Sequence, residues 1–252
     1  MASVTMTALG DSVTAGIGDV GHVQGWAAHL AEALGVDSFH NVASVGARAR
    51  DVAELQLPVA VQERPSIATL LVGGNDVLRG DFDAGEVGFR VRQTVRTLTT
   101  QGTDCLVVLL HDPRSLAVGP RSVREVLARR AQLTNDAIRL ALKDVRRVCI
   151  LDPRHMPESG QARAWHIDRI HPSAWGHRFL ASRAVDALAQ LGWSPRRDVS
   201  LVVPPGPGVV AQAVWLMRYG TPWAARRSTD LLPDLAAVWW RERHLPSTNQ
   251  WP

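Results

Sequence analysis

Long apolar runs are missing from this 252-residue sequence. No window of eighteen or more consecutive apolar residues occurs, so no membrane span is expected. The opening residues MASVTMTALGDS hold no basic stretch followed by an apolar one. A secretion signal is therefore not expected, and the expected location is the cytoplasm. Cysteine is scarce. Cys105 and Cys149 each fall in an apolar run that reads as a buried strand, so two buried free thiols are expected rather than a disulfide, in keeping with a reducing compartment. Lysine is nearly absent, Lys143 being the only one, which reads as a bias toward GC-rich codons. There is no internal repeat, no His-Glu-x-x-His, no Cys-x-x-Cys and no Walker loop. Neither a metal, a cofactor nor a nucleotide is expected.

Dense basic charge is lacking too. The formal net charge is +4; seven arginines and four acids lie from Pro195 onward, which leaves the first 194 residues close to neutral. A nucleic-acid binder shows a denser basic face, so no nucleic-acid partner is expected.

What is present is an alternation of apolar runs and amphipathic stretches. Strands are predicted at Val4–Leu9, Ser38–Ala43, Ile67–Val72, Asp104–Leu110 and Arg147–Leu151. Helical spacing of apolar residues marks Gly25–Leu34, Ala47–Leu55 with Pro58 beyond it, Ala84–Thr100, Ser122–Lys143 and Ser173–Leu191. Five strands, each followed by a helix, predict an α/β fold with a parallel sheet covered on both faces. In such sheets ligands meet the carboxyl ends of the strands. Three polar clusters, Gly10-Asp11-Ser12, Ser44-Val45-Gly46 and Gly73-Gly74-Asn75-Asp76, each follow a strand and can converge there.

The pattern changes after Trp193. Residues 1–193 read as one α/β domain and 194–252 as a Trp/Arg-rich C-terminal helical extension. Val203-Pro204-Pro205-Gly206-Pro207-Gly208 is a turn or linker, and short helices are predicted at Val209–Tyr219 and Leu231–Arg243. The region holds five of the nine tryptophans. They allow a patch packed on the core, a lid over a pocket, or a homodimer contact.

Ser12 ends the first strand. A serine hydroxyl needs an adjacent base to be a nucleophile near neutral pH; taken alone, the same residue reads more readily as a helix cap. Asp168-Arg169-Ile170-His171-Pro172 precedes the closing helix. Asp168 can reach His171 Nδ1 if the loop curls, leaving Nε2 free for Ser12; alone, Asp168 reads as a surface charge. Asn75 can offer a side-chain amide, and Gly46 an unobstructed backbone N–H, to an oxyanion; each alone reads as a turn residue. Asp11, Asp76 and His111 are candidates to line the pocket, with Asp76 also placed to brace the Asn75 loop. The Gly-x-Ser-x-Gly elbow of α/β-hydrolases is absent.

Gly-Asp-Ser-x-Thr-x-Gly at 10–16, Gly46, Gly-Gly-Asn-Asp at 73–76 and Asp-x-x-His-Pro at 168–172 occur in this order. The set resembles the SGNH (GDSL-type) hydrolase family over residues 3–192, with Val13 where many members carry Leu. The resemblance implies a flavodoxin-like three-layer α/β/α sandwich with strand order 2-1-3-4-5. It implies a catalytic triad of Ser12, His171 and Asp168, and an oxyanion hole from the Ser12 N–H, the Gly46 N–H and the Asn75 side chain. The expected activity is a serine esterase working through an acyl-enzyme on a small-molecule or lipid-like ester. An acyltransferase serving a sugar, glycolipid or natural-product acceptor shares the machinery. A catalytically idle binding or oligomerisation module on the same fold is the alternative outside enzymes.

Overall fold

The computed structural model describes residues 3–115, 121–203 and 240. Its centre is one five-stranded parallel sheet of β1 (Thr5–Gly10), β2 (Ser38–Asn41), β3 (Ile67–Leu71), β4 (Asp104–Val108) and β5 (Val148–Leu151), in the order β2-β1-β3-β4-β5. The register pairs Met6 with Ile67, Ile67 with Asp104 and Cys105 with Val148. The order reverses between β1 and β3, so the chain leaves their carboxyl ends in opposite directions and opens a crevice there.

Side chains alternate across the sheet and fill two cores. Met6, Ala8, Ile67, Leu106 and Val108 meet α1 (Trp26–Leu34) and α6 (Ala174–Leu188) through Trp26, Leu30, Ala181 and Leu188. Leu9, Ala68, Leu70, Cys105 and Val107 meet the helices of the opposite face. Those are α2 (Ala49–Asp51), α3 (Leu57–Glu63), α4 (Ala84–Thr100) and α5 (Arg121–Leu142). The result is the three-layer α/β/α sandwich. Cys105 and Cys149 are buried free thiols in these cores.

The fourth strand stops at Val108, two residues before its predicted end, and two further local predictions need correction. The second strand stops at Asn41, two residues before the predicted end, where the chain turns toward the sheet's rim. The predicted helix ending at Leu55 instead runs on past Pro58, because α2 passes into a π-helical segment, Val52–Gln56, before α3 begins. That wider turn lets Pro58 sit in the first turn of α3, where its missing N–H costs nothing. Between β5 and α6 the chain makes three short 3₁₀ turns, Pro153–His155, Pro157–Gly160 and Ala162–Ala164. The predicted helices at 209–219 and 231–243 lie outside the described residues apart from Trp240. Among the described residues, no helix is long and apolar enough to cross a membrane.

Candidate active site

Glycine at position 10 is a steric necessity. It ends β1 with φ +149°, and a Cβ there would sit 2.3 Å from the Leu71 carbonyl oxygen of β3. Its backbone is clamped by Gln56. The buried Gln56 amide accepts from the Gly10 N–H at 2.8 Å, donates to the Gly10 carbonyl at 2.9 Å, and donates to Ser44 Oγ at 3.2 Å. The π-helical segment that carries Gln56 is not visible in residue spacing, so this residue was missed by sequence reasoning. The turn that follows presents Ser12.

A second loop meets Ser12 from the other end of the chain. The backbone of Trp165 pairs with Pro172, and the His166 N–H donates to the His171 carbonyl at 2.8 Å. Arg169 turns the loop in the left-handed region at φ +58°. This hairpin carries Asp168 and His171. His171 Nε2 lies 2.9 Å from Ser12 Oγ, and His171 Nδ1 lies 2.8 Å from Asp168 Oδ2. The other carboxylate oxygen accepts from the backbone N–H groups of Ile170 at 2.9 Å and His171 at 3.0 Å. His166 Nδ1 also approaches Asp168 Oδ2, at 3.2 Å. The Asp168 partner assigns the His171 proton to Nδ1 and leaves Nε2 as the acceptor for the serine hydroxyl. Burial alone would raise the Asp168 pKa, but the bonds from His166 and His171 hold it well below the usual carboxylate range.

The two loops are fastened to each other. A Cβ at Gly18 would lie 2.2 Å from the Pro172 carbonyl oxygen, and Gly18 has φ +98°. Beside it, the fully buried His177 accepts from the Trp26 N–H at 3.1 Å and donates from Nε2 to the Ile17 carbonyl at 3.0 Å. Burial pushes the His177 pKa down to about 4, so it stays neutral. Asp19 accepts from the N–H groups of Gly25 and Val20, both at 2.8 Å, and pairs with His29 at 2.9 Å. These residues hold the turn after Ser12 without entering the site.

Asn75 follows β3 and lines the same cavity as Ser12. One of its two amide hydrogens goes to the Ala47 carbonyl at 3.1 Å, which ties it to the Gly46 turn and leaves the second available. Gly46 has φ +85°. It is not among the residues lining the cavity, nor is Asp76. The Asp76 carboxylate accepts from the Ala49 N–H at 3.1 Å and Arg48 Nε at 3.3 Å, and so braces the Gly46 and Asn75 turns against each other. Burial raises its pKa. Asp11 and His111 do line the cavity. Asp11 accepts from the Val13 N–H at 3.0 Å; burial pushes its pKa up to about 6, the Val13 bond and His171 oppose the rise, and Asp76 adds to it. Burial lowers His111 to about 4, and its ring lies 4.2 Å from that of Trp165. No group of three or more His, Cys, Asp or Glu side chains among the described residues is arranged to hold a metal ion.

Chemically, the arrangement offers a hydroxyl within proton-transfer distance of an oriented imidazole, beside amide donors at strand ends. The profile of the GDSL-like lipase/acylhydrolase family matches residues 8–179. Among curated proteins no sequence matches. Solved structures resemble the fold. TesA shares 22% identity over 74% of this chain and 99% of its own, with a TM-score of 0.60. The psychrotrophic esterase EstA from Pseudoalteromonas sp. shares 16% over 74% and 97%, with a TM-score of 0.58. Axe2, an acetylxylan esterase from Geobacillus stearothermophilus, shares 18% over 77% and 97%, with a TM-score of 0.58.

Proposed function

We propose, for a chain that belongs to the GDSL-like lipase/acylhydrolase family, that Ser12 is the nucleophile of a serine esterase, His171 its general base and acid, and Asp168 the carboxylate that orients His171. The chain is an ester hydrolase of that family, and what is proposed is which residues do the chemistry. One observation carries the assignment: His171 Nε2 stands 2.9 Å from Ser12 Oγ while Nδ1 stands 2.8 Å from Asp168.

The Ser12 oxygen attacks the ester carbonyl carbon as its proton passes to His171 Nε2. The carbonyl oxygen becomes an oxyanion that the Ser12 N–H, the Gly46 N–H and the second Asn75 amide hydrogen stabilise. Asp168, held ionised, stabilises the imidazolium. The C–O bond to the leaving alcohol breaks as His171 returns the proton to the departing oxygen. Water then attacks the acyl-serine, giving its proton to Nε2, and the second tetrahedral intermediate collapses to release acid and restore Ser12.

The substrate class is a small-molecule or lipid-like ester. We assign the enzyme to the cytoplasm, on the ground of two buried free thiols. We propose that the Trp/Arg-rich extension, residues 194–252, makes a homodimer contact, for which its five tryptophans are the support and sizing of the full chain against one ending at Trp193 is the check.

A fluorophosphonate reacts only with an activated serine. Mass spectrometry is expected to find the phosphonyl group on Ser12, and no adduct in Ser12→Ala. Labelling at another serine, or none, would reject the assignment.

A further inference from the structure

In the wall of the cavity beside Ser12, polar groups find partners within the protein. Leu110 lies beyond the last ladder residue of β4, and the buried Asn135 of α5 serves its backbone, accepting from the Leu110 N–H at 2.9 Å and donating to its carbonyl at 2.8 Å. Arg130, also on α5, donates to the carbonyls of Val77 at 3.0 Å and Arg79 at 2.7 Å. Trp165 Nε1 is taken by the Ser159 carbonyl at 2.6 Å, and the Ser159 hydroxyl by the carbonyls of Pro153 and Met156.

His111 differs. It follows Leu110 and lines the same cavity, partly buried. Among the described residues neither of its ring nitrogens meets a hydrogen-bond partner. The Asp112 carboxylate beside it in sequence is occupied by Arg114, through the backbone N–H at 3.0 Å and Nε at 2.9 Å. The ring is held all the same, because it packs on Trp165 with centroids 4.2 Å apart and Trp165 is anchored to Ser159. A positioned imidazole in a cavity wall, with no partner in the protein, is a place for a ligand's hydrogen bond. We propose that His111 is a substrate-binding residue, and that the enzyme's own substrate is an ester with an uncharged hydroxyl group on the part that enters this cavity. The inference rests on the reading of Ser12 as nucleophile, which makes the cavity the substrate's.

The kind of group follows from the ring. A neutral imidazole has one N–H donor and one bare nitrogen acceptor, and no partner here fixes which is which. A hydroxyl both donates and accepts, so it satisfies either tautomer; a ketone or an amide N–H satisfies only one. Burial pushes the His111 pKa down to about 4, against the pull of Asp112. Near neutral pH the ring therefore carries no charge to offset a carboxylate, and burying an unpaired charge is costly.

The place of the hydroxyl follows from the sheet. Gly10 of β1 is level with Leu71 of β3, and Leu71 with Val108 of β4. Ser12 and His111 leave the same rim two strands apart, with their backbones separated by roughly 10 Å. The two side chains shorten that gap, so the hydroxyl belongs a few bonds from the reacting carbonyl. Whether it sits on the acyl or the alcohol part depends on which half of the ester enters the cavity.

The test has an arm for each half. One compares 4-nitrophenyl 3-hydroxyhexanoate and 6-hydroxyhexanoate with 4-nitrophenyl hexanoate; the other compares the 1-butyrates of hexane-1,3-diol and hexane-1,6-diol with hexyl butyrate. In at least one arm, wild type is expected to favour a hydroxylated ester over its plain counterpart by at least about fivefold in kcat/KM, mainly through KM, since an unpaired buried polar group costs that much or more. His111→Phe keeps a ring against Trp165 without a hydrogen-bonding nitrogen, and should bring the ratio below about one. His111→Gln offers a donor and an acceptor again, and should hold the ratio above about two. His111→Leu takes the place of His111→Phe if that variant does not fold. Each ratio is read within one protein, so a general loss of activity cancels. No preference for a hydroxyl in either arm, or the same preference in His111→Phe, overturns the inference alone when Ser12 is still labelled by a fluorophosphonate. So does a folded variant that turns over neither ester. Failure of Ser12 to label overturns the active-site reading and this inference with it.

Discussion

Asp168 and His171 are joined twice, by the carboxylate on Nδ1 at 2.8 Å and by the backbone N–H of His171 on the other carboxylate oxygen at 3.0 Å. The side-chain contact sets the tautomer; the backbone contact fixes the loop. Asp168→Asn keeps an oxygen for the loop but removes the charge that stabilises the imidazolium. Turnover of 4-nitrophenyl butyrate is expected to fall by about 10³–10⁴-fold in a protein that still folds. Because the Asp168 pKa lies far below its ordinary value, its stabilisation is present above the unfolded carboxylate pKa. It is lost only as pH falls through the depressed folded value. Asp168→Asn lacks this contribution, so its stability deficit in urea unfolding should be largest above about pH 4 and shrink as pH falls below that.

Asn75→Ala removes one oxyanion donor and the tie to Ala47. The expected result is a fall in kcat of about 10²–10³-fold with a smaller change in KM. A larger effect on KM than on kcat would make Asn75 a substrate-binding residue instead.

Gln56 supports the nucleophile turn from behind. Gln56→Leu fills similar space but strands the Gly10 N–H inside the protein, while the Gly10 carbonyl keeps the Ser44 N–H at 3.2 Å; one unsatisfied buried group costs about 1–3 kcal/mol. A loss of stability in that range is expected in urea titration, together with a lower kcat, since Gly10 sets where Ser12 points.

Asp11 provides a pH signature. Its folded pKa of about 6 stands above the ordinary 3.8, so the folded protein holds this proton more tightly than the unfolded chain. Stability therefore declines as pH rises from about 4 to about 6, by roughly 3 kcal/mol from this group. Asp11→Asn lacks the ionisable group. It should be more stable than wild type above pH 6, and the difference should shrink as pH falls toward 4. His177 acts with the opposite sign. Its folded pKa of about 4 lies below the ordinary 6.5, so stability is lost as pH falls through that window. Equilibrium unfolding at several pH values in Asp11→Asn and in His177→Gln separates the two.

Most of the sheet was legible in the sequence because buried parallel strands are unbroken apolar runs and each ends in a glycine-rich or polar turn. Ser12, Asn75, Asp168 and His171 were legible for the same reason: each lies in a short cluster just past a strand or just before a helix. The partners that hold them were not. Gln56 reaches Gly10 through a π-helical register that residue periodicity does not encode, and Pro58 read as a stop although the wider turn admits it. Nothing in the residue spacing marks His166, which the hairpin brings to Asp168 from two residues before. Asn135 and Arg130 read as polar positions of an amphipathic helix, and only the packing of α5 against the ends of β3 and β4 gives them backbone to cap.

The most direct test is the rate of 4-nitrophenyl butyrate hydrolysis by Ser12→Ala, measured beside wild type with folding checked by circular dichroism. Contact between the hydroxyl of Ser12 and the imidazole of His171 at 2.9 Å predicts a fall of about 10⁴-fold or more in kcat/KM in a protein that melts at the wild-type temperature. A folded Ser12→Ala that retains turnover within about tenfold of wild type would contradict it.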